Sequence, residues 1–218
     1  MKKYFNLLNI KKNTLFEKEI EYLIKYKFFY KNKISTFYPI LIPQNDTENM
    51  VNVYNNIIRK EKKTYIYELG YGSNNINASI KLKNLNNINI DNNFLCFLTK
   101  KEKINKTHIL GDWLFIINSF KKSKSIITNP PYIGKKEIYK NIENTLIKNN
   151  LISNKNGLNS IYNIIKTSKN ILLKNGTLMA EHCYNQDKQI RYFSKLNGFK
   201  PYTFKDHNNI KRFIYLEI

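Results

Sequence analysis

The sequence is poor in cysteine and in long apolar runs. Its two cysteines, Cys96 and Cys183, lie far apart and lack CxxC or Cys/His ligand spacing, so neither a disulfide framework nor a zinc site is predicted. We expect two buried free thiols and no metal. No apolar run approaches the ~20 residues of a bilayer-spanning helix, and the N-terminal residues lack the apolar stretch of a signal peptide. The sequence therefore predicts a cytoplasmic protein without a membrane segment.

Arginine is also scarce, although positive charge is not. The chain carries 37 lysines and arginines against 16 acidic residues, a net charge of +21, and such an excess ordinarily favours nucleic-acid binding. Only three of these cations are arginine, the residue best suited to reading bases and clamping phosphates. The lysines are spread along a chain rich in Asn, Ile, Tyr and Phe, a composition that is also typical of AT-rich codons. The charge therefore allows a nucleic-acid partner without favouring one.

The first sixty residues have a different pattern from the rest. Apolar spacing over residues 14–29 predicts one amphipathic helix. A proline-punctuated stretch follows, and then a second helix with Asp46 or Thr47 as its N-cap. The charged run RKEKK at 59–63 marks a boundary. These features indicate a small accessory segment ahead of a single larger domain.

Beyond that boundary, short apolar runs alternate with helical stretches. Strands followed by helices in this order favour an open α/β sheet, rich in parallel strands and covered on both faces, and here it ends in a hairpin. The Asn-rich stretch 84–93 is predicted to be a loop. The apolar and helical stretches are TYIYELG (64–70), INASIKLKNL (76–85), FLCFL (94–98), THIL (107–110), SIIT (125–128), LNSIYNIIKTSKNILL (158–173), TLMAEH (177–182), DKQIRYFSKL (187–196) and KRFIYLEI (211–218).

Two glycines, Gly70 and Gly72, follow the first of these strands in the stretch YELGYGSNN. Open α/β sheets bind ligands beyond the carboxyl ends of their strands, and glycine lets a ligand approach the backbone closely. The turn lacks the third glycine of a dinucleotide fingerprint and the GK[ST] of a P-loop. At this point an unknown ligand site and an ordinary strand-to-helix turn both remain open.

A second strand, SIIT, ends in Asn129, Pro130, Pro131 and Tyr132. The prolines leave this backbone little freedom, so the Asn129 side-chain carbonyl and the Pro130 main-chain carbonyl become two fixed acceptors for a planar NH2 group. Tyr132 can lie against the flat face of that group. Positioning of this kind promotes reaction at the nitrogen without a general base. A rigid proline turn with no chemical role is the alternative.

An NPPY stretch after an E-x-G-x-G turn resembles the amino-group methyltransferases that use S-adenosylmethionine. Three further stretches narrow the resemblance: LIPQNDTENMV (41–51), GDW (111–113) and EHCYNQ (181–186). In order and spacing they are similar to those of the HemK/PrmC family, the N5-glutamine methyltransferases of peptide chain release factors, which carry LIPRPxTExLV, GDW and EHGYDQ-like motifs. The resemblance covers about residues 29–218.

This resemblance implies a class I S-adenosylmethionine-dependent methyltransferase fold, Rossmann-like, with a mostly parallel seven-stranded sheet and helices on both faces. A reduced helical, substrate-binding segment would occupy residues 1–60 and the methyltransferase catalytic domain residues 61–218. The implied partner is a class I release factor that presents the glutamine of its GGQ loop for direct methyl transfer.

The resemblance also implies the roles of individual residues. Cofactor binding falls to Glu68, Gly70, Tyr71, Gly72, Ser73, Asn74, Asp112, Trp113 and Asn129. Asn129, Pro130 and Tyr132 would be catalytic, and these three residues with Pro131 would bind the substrate amide. Glu181 is expected to brace the NPPY loop, and His182 is expected to have a structural role.

The sequence pattern predicts that one family feature is missing. The family places an acid that binds the cofactor ribose at the end of the strand matched by FLCFL, and Leu98 stands there. Glu102 is the nearest acid, one helical turn later. Losing a charged bidentate acceptor costs roughly 1.5–3 kcal/mol, so we expect cofactor affinity to be weaker by about one to two orders of magnitude.

Two other functions remain open from the sequence. The charge and the NPPY stretch also fit a DNA or RNA amino-group methyltransferase of the adenine-N6 type, although no target-recognition segment accompanies the core. A methyltransferase-like remnant that binds a partner without turnover is the second alternative.

Overall fold

The computed structural model describes residues 20–30, 32–58, 65–81, 86–98, 106–116, 122–135 and 151–218. A seven-stranded sheet, in the order β5-β4-β3-β6-β7-β9-β8, organises the chain. The first five strands in that order run parallel, and β9 is antiparallel to both β7 and β8. Its strands are β3 (Tyr65–Leu69), β4 (Asn86–Asp91), β5 (Lys106–Leu110), β6 (Ser123–Thr128), β7 (Leu172–Glu181), β8 (Lys200–Lys205) and β9 (Lys211–Glu217). The predicted open α/β sheet with a final hairpin is confirmed.

Helices cover both faces of this sheet. Side chains alternate between the two faces along each strand, so Ile126 of β6 packs in one core and Ile127 in the other. The first core is completed by the helices at Asn159–Ile171 and Asp187–Leu196, and the second by a helix at Asn45–Ile57. In chain order the helices are α1 (Asn45–Ile57), α2 (Asn75–Ser79), α3 (Phe94–Leu98), α4 (Trp113–Ile116), α5 (Asn154–Gly157), α6 (Asn159–Ile171) and α7 (Asp187–Leu196), with a 3-10 turn at Tyr184–Gln186.

The N-terminal part of the described chain contains a hairpin instead of one long helix. Strands β1 (Tyr26–Phe29) and β2 (Asn32–Ser35) pair antiparallel, so the predicted helix over 14–29 is wrong for residues 26–29. Lys25 adopts a left-handed φ of 60°, which ends the preceding helical turn, and the alternation of exposed Phe28 with buried Phe29 has the period of a strand. Residues 14–19 and the RKEKK run lie outside the described residues.

Helix α1 also begins differently from its prediction. Its N-cap is Gln44, and no side chain of the cap bonds the first turn. Asp46 and Thr47 lie inside the helix, so neither is the cap. Met50, Val51 and Tyr54 of α1 are fully buried against the sheet, together with Phe29 and Ile34 of the hairpin.

The Asn-rich stretch is a strand, and the apolar stretch after it is a helix. Residues 86–91 form β4 and pair in parallel with β3, whereas FLCFL forms α3. Apolar patterning misses β4 because Asn89, fully buried, hydrogen-bonds other buried side chains, including the Asn77 amide. Helix α3 is started by Asn93, whose Oδ1 accepts a hydrogen bond from Leu95 N at 3.0 Å.

Both cysteines are free thiols. Cys96 is buried as expected, but Cys183 is only partly buried. No helix in the described ranges is long and apolar enough to cross a bilayer. Within the same ranges, no cluster of three or more His, Cys, Asp and Glu side chains is arranged to hold a metal ion.

Candidate active site

At the ends of four neighbouring parallel strands, the residues that come next in the chain are polar or glycine. Ile90, Leu69, Thr128 and Ala180 are aligned on β4, β3, β6 and β7. The next residues on these strands are Asp91, Gly70, Asn129 and Glu181. Because the four strands are parallel, their carboxyl ends share one edge of the sheet, where such folds bind ligands. The register therefore brings the glycine turn and the NPPY stretch to the same edge of the sheet.

The turn after β3 depends on its glycines. Gly70 and Gly72 have φ values of +68° and +51°, a left-handed region that side chains other than those of Gly, Asn and Asp rarely enter. A Cβ on Gly70 would lie 2.6 Å from Cζ3 of Trp113. The indole therefore packs directly on the backbone of this turn, and a larger residue at position 70 would displace it.

The other predicted turn residues lie beneath this surface. Glu68 is fully buried, and its Oε2 accepts a hydrogen bond from Asn77 N at 2.9 Å in the first turn of α2. Asn74 Oδ1 accepts one from Asn89 Nδ2 at 3.4 Å. The buried Tyr71 ring packs edge-on against His108, with centroids 5.1 Å apart, and the Ser73 hydroxyl is buried. Glu68 and Asn74 thus bond the turn to α2 and β4, and Tyr71 and Ser73 are buried beside it.

Asp91, at the end of β4, faces the glycine turn. Its Oδ2 accepts a hydrogen bond from Gly72 N at 3.0 Å, and its Oδ1 accepts one from Asn93 N at 2.9 Å. Burial raises the pKa of this carboxyl, and the backbone hydrogen bonds oppose that rise. An acid, Asp91, therefore stands at the end of the strand that follows the glycine turn, where the sequence pattern placed Leu98. The expectation that this strand ends without an acid is wrong, because β4 and not FLCFL pairs with β3.

A cleft of about 180 Å³ opens between the turn and the strand ends. We call it the turn cleft. It is lined by residues that include Gly70, Gly72, Asp91, Trp113, Asn129 and Pro131. Of the two GDW residues that the resemblance assigns to the cofactor, Trp113 lines the cleft. Asp112 is exposed and its Oδ1 accepts a hydrogen bond from Phe115 N at 3.4 Å, so it caps α4.

The loop of residues 129–132 begins beside the glycine turn, because Thr128 and Leu69 are paired on neighbouring strands. Thr128 Oγ1 donates to the Leu69 carbonyl at 2.8 Å, which joins the ends of β6 and β3. Pro130 is buried, while Asn129 and Pro131 line the turn cleft. The main-chain carbonyl of Tyr132 accepts a hydrogen bond from Gln186 Nε2 at 2.8 Å. The loop is thus held at both of its ends.

Side chains from three distant parts of the chain hold this loop. Asn129 Nδ2 donates to Thr47 Oγ1 at 2.9 Å, Thr47 Oγ1 donates to Glu181 Oε2 at 2.8 Å, and Tyr132 Oη donates to Glu181 Oε1 at 2.9 Å. We call these four residues the Glu181 network. Burial raises the pKa of Glu181 from 4.5 to about 7, against the lowering effect of its two hydrogen bonds. The adjacent carboxylate of Glu181 in turn raises the pKa of Tyr132.

The sequence singled out most of this network but missed two of its supports. Glu181 was expected to brace the loop, and its contact with Tyr132 agrees with that. The sequence pattern predicts only a helix cap at Thr47, although this residue lies inside the LIPQNDTENMV motif. Gly157, at φ +85°, was not singled out, yet a Cβ there would lie 2.0 Å from the Tyr132 carbonyl oxygen.

His182 lies beside the network and is fully buried. Its Nδ1 is 2.8 Å from the Cys183 carbonyl oxygen, and burial lowers its pKa. A neutral imidazole held against the backbone fits the structural role expected for it.

Comparison with curated proteins supplies the family. The chain is 36% identical over 222 residues to the release factor glutamine methyltransferase of Buchnera aphidicola subsp. Acyrthosiphon pisum (strain APS), an alignment that covers 96% of this chain and 78% of the relative. The enzyme of the same name from Aliivibrio fischeri is 27% identical over 190 residues, covering 83% of this chain and 66% of the relative. The chain belongs to the release factor glutamine methyltransferase family. No protein-family model matches the sequence.

Solved structures show that the fold is shared with this family and beyond it. The protein-(glutamine-N5) methyltransferase of Alicyclobacillus acidocaldarius superposes with a TM-score of 0.53 at 18% identity, covering 81% of this chain and 93% of that one. A methyltransferase of Pyrococcus furiosus superposes with a TM-score of 0.62 at 12% identity, covering 94% of this chain and 95% of that one. The family, the class I methyltransferase fold and the enzyme class predicted from the sequence are therefore confirmed.

Proposed function

We propose that this protein transfers a methyl group from S-adenosylmethionine to the N5 atom of the glutamine in the GGQ motif of class I peptide chain release factors. The observation that carries the proposal is the shared position of Asn129. It lines the turn cleft and is bonded at the same time to the buried Glu181 network. One residue can thus contact both the methyl donor and the amide that receives the methyl group.

The residues of the turn cleft fit the proposed cofactor. Gly70 and Gly72 expose backbone, the Asp91 carboxylate offers acceptors of the kind that bind a ribose diol, and Trp113 offers an aromatic face. The Ser73 hydroxyl is buried without a hydrogen-bond partner among the described residues, which leaves a donor for a ligand beside the turn. When bound, the cofactor would supply a methyl group on a cationic sulfonium, whose charge is lost as the methyl leaves.

The chain's own residues position the amide nitrogen. Asn129 Oδ1 and the Pro130 carbonyl are acceptors for the two N–H bonds of a glutamine side chain. The Tyr132 ring, fixed through its hydroxyl, would cover the flat face of the amide and exclude water. Holding both hydrogens directs the nitrogen lone pair toward the methyl donor, so positioning replaces a general base. The proton leaves after transfer.

The partner and the location of the protein follow from this reaction. We infer that residues 1–60 form a substrate-binding segment and residues 61–218 the methyltransferase catalytic domain. In support, α1 carries Thr47 into the Glu181 network, so the first segment reaches the substrate side of the site. The net charge of +21 favours acidic surfaces on a partner. Because release factors act in translation termination, we infer a cytoplasmic location.

The test is transfer of labelled methyl from S-adenosylmethionine to three substrates: a class I release factor, DNA and RNA. We expect label on the release factor only, and none when its GGQ glutamine is replaced by alanine. Label on nucleic acid alone would favour the amino-group methyltransferase of the adenine-N6 type. Calorimetry with the cofactor adds a second measurement, because no binding at millimolar cofactor would favour a non-catalytic remnant.

A further inference from the structure

We propose that Thr47 is a positioning residue that, together with Glu181, sets the direction of the Asn129 amide so that its carbonyl oxygen faces the substrate. The proposal rests on the function proposed above and deepens it. It assigns a role to a side chain that lies 82 residues before Asn129 in the chain and 134 residues before Glu181.

The contacts form one continuous path. Asn129 Nδ2, Thr47 Oγ1 and Glu181 Oε2 are joined by hydrogen bonds of 2.9 Å and 2.8 Å. Thr47 is buried, and Glu181 is buried at the end of the central strand β7. With both groups out of water, their hydrogen bonds are made to each other, and the direction of each bond affects the next.

The chemistry of the three groups gives the path one direction. An ionised carboxylate only accepts hydrogen bonds, and a hydroxyl has one hydrogen to donate. Thr47 therefore gives its hydrogen to Glu181 and can only accept from Asn129. An amide held by its NH2 group at Thr47 has its Oδ1 on the opposite side, toward the cleft that Asn129 lines.

Protonation of Glu181 removes this constraint. A protonated carboxyl can donate to Thr47, whose hydrogen is then free to point at Asn129 and favour the flipped amide. The flipped amide would present its NH2 group to the NH2 group of the substrate, placing donor against donor. Glu181 titrates near pH 7 because burial raises its pKa to about that value.

Two charged groups and a second hydroxyl act on Glu181. Asp46 on α1 raises its pKa, while Arg212 on β9 lowers it, and Tyr132 lowers it through its hydrogen bond. Arg212 Nε lies 3.3 Å from Asp46 Oδ2 and 3.6 Å from Asp206 Oδ2. Arg212 is thus ion-paired with two other carboxylates, and burial remains the largest cause of the raised pKa of Glu181.

The first experiment compares Thr47→Val with Thr47→Ser. Valine has the shape of threonine but no hydroxyl, so we expect kcat for release-factor methylation to fall about 10- to 100-fold while the Kd for S-adenosylmethionine is unchanged. Serine keeps the hydroxyl and should restore kcat to within a few fold. Thr177→Val, on the same strand as Glu181 and bonded to Ser125, is the matched control and should retain wild-type activity. A Thr47→Val enzyme as active as wild type would overturn the proposal.

The second experiment observes the amide without a substrate. In 15N-labelled full-length protein, the Asn129 side-chain NH2 signals are assigned by their loss in Asn129→Asp. We expect them to titrate with a midpoint near pH 7 in wild type and to be independent of pH in Thr47→Val. Signals that ignore pH in wild type, or titrate equally in Thr47→Val, would contradict the role of Thr47.

The two experiments separate this proposal from the function on which it rests. If wild-type protein methylates no release factor while the amide signals still titrate through Thr47, the proposed function fails and the positioning role stands. If release factor is methylated and Thr47→Val matches wild type, the positioning role fails and the function stands.

Discussion

The turn cleft and the Glu181 network meet at Asn129 but are held together in different ways. The cleft is built mainly from backbone, with glycines of left-handed φ and a main-chain N–H bonded to Asp91. The indole of Trp113 packs on this backbone. The network is built from side chains, and its hydrogen bonds join residues 49 to 134 positions apart. In the proposed reaction, a local turn positions the methyl donor, and tertiary packing positions the amide that receives the methyl group.

This difference suggests separate roles for the two regions, with cofactor binding in the cleft and positioning of the reacting amide in the network. Backbone groups in a glycine turn do not titrate, although the Asp91 carboxyl also lines the cleft. The network contains a buried carboxyl whose charge changes near neutral pH. We therefore expect changes in the cleft to affect mainly cofactor affinity, and changes in the network to affect mainly turnover and its pH dependence.

The largest effect is expected at the residue that the two regions share. Asn129→Ala removes the proposed side-chain acceptor for the substrate amide, and we expect methyl transfer to fall by at least about 1,000-fold. Because Asn129 is partly exposed at the end of β6, the fold should remain intact by circular dichroism. The measurement is single-turnover methylation at saturating release factor. Activity within tenfold of wild type would show that positioning of the amide does not depend on Asn129.

The next largest effect concerns stability in the network. Glu181 has a pKa of about 7 in the folded protein against 4.5 ordinarily, so between these values the folded state holds a proton that the unfolded state releases. Its contribution to stability is therefore complete below pH 4.5 and is lost as the pH rises through 7. Glu181→Gln removes this titration. Relative to wild type, the variant should gain about 3 kcal/mol in unfolding free energy between pH 4.5 and 8.

Urea denaturation at several pH values measures this change. Asp187→Asn is an informative control because hydrogen bonds from Lys211 and Thr203 lower the pKa of Asp187. Its contribution is present above the ordinary carboxyl value and is lost in acid, so its pH dependence has the opposite sign. Parallel pH curves for wild type and Glu181→Gln would mean that Glu181 is ionised in the folded state well below pH 7.

In the cleft, Asp91→Ala should weaken S-adenosylmethionine binding by about 10- to 100-fold, the equivalent of roughly 1.5–3 kcal/mol for a charged acceptor. The turnover of the fully loaded enzyme should change much less. Glu102→Ala is the matched control, because the sequence pattern alone suggested Glu102 as the nearest acid after Leu98. Calorimetry decides between them: weaker binding in Glu102→Ala and not in Asp91→Ala would reverse the assignment made from the structure.

The same contrast explains which parts of the site could be predicted from the sequence. Glycine and proline restrict the backbone directly, so the turn at Gly70 and the loop at Asn129 could be located from residue types. Asp91 was missed because three of the six residues of β4 are asparagines, which apolar patterning does not assign to a buried strand, and Asn89 is buried through bonds to other buried side chains. Thr47 was missed because its partners are distant in the chain, and no local pattern distinguishes its hydroxyl from a helix cap.

The smallest effect is expected from Tyr132→Phe, which keeps the aromatic ring and removes one hydrogen bond to Glu181. That bond stabilises the carboxylate form, so its loss should raise the pKa of Glu181 and move the acidic limb of the kcat profile to higher pH. At alkaline pH the variant should approach wild-type turnover, because the remaining bond from Thr47 still directs Asn129. At neutral pH its kcat should fall less than tenfold, the equivalent of about 1 kcal/mol in activation free energy. A uniform loss at every pH would instead mean that the hydroxyl acts on the substrate itself.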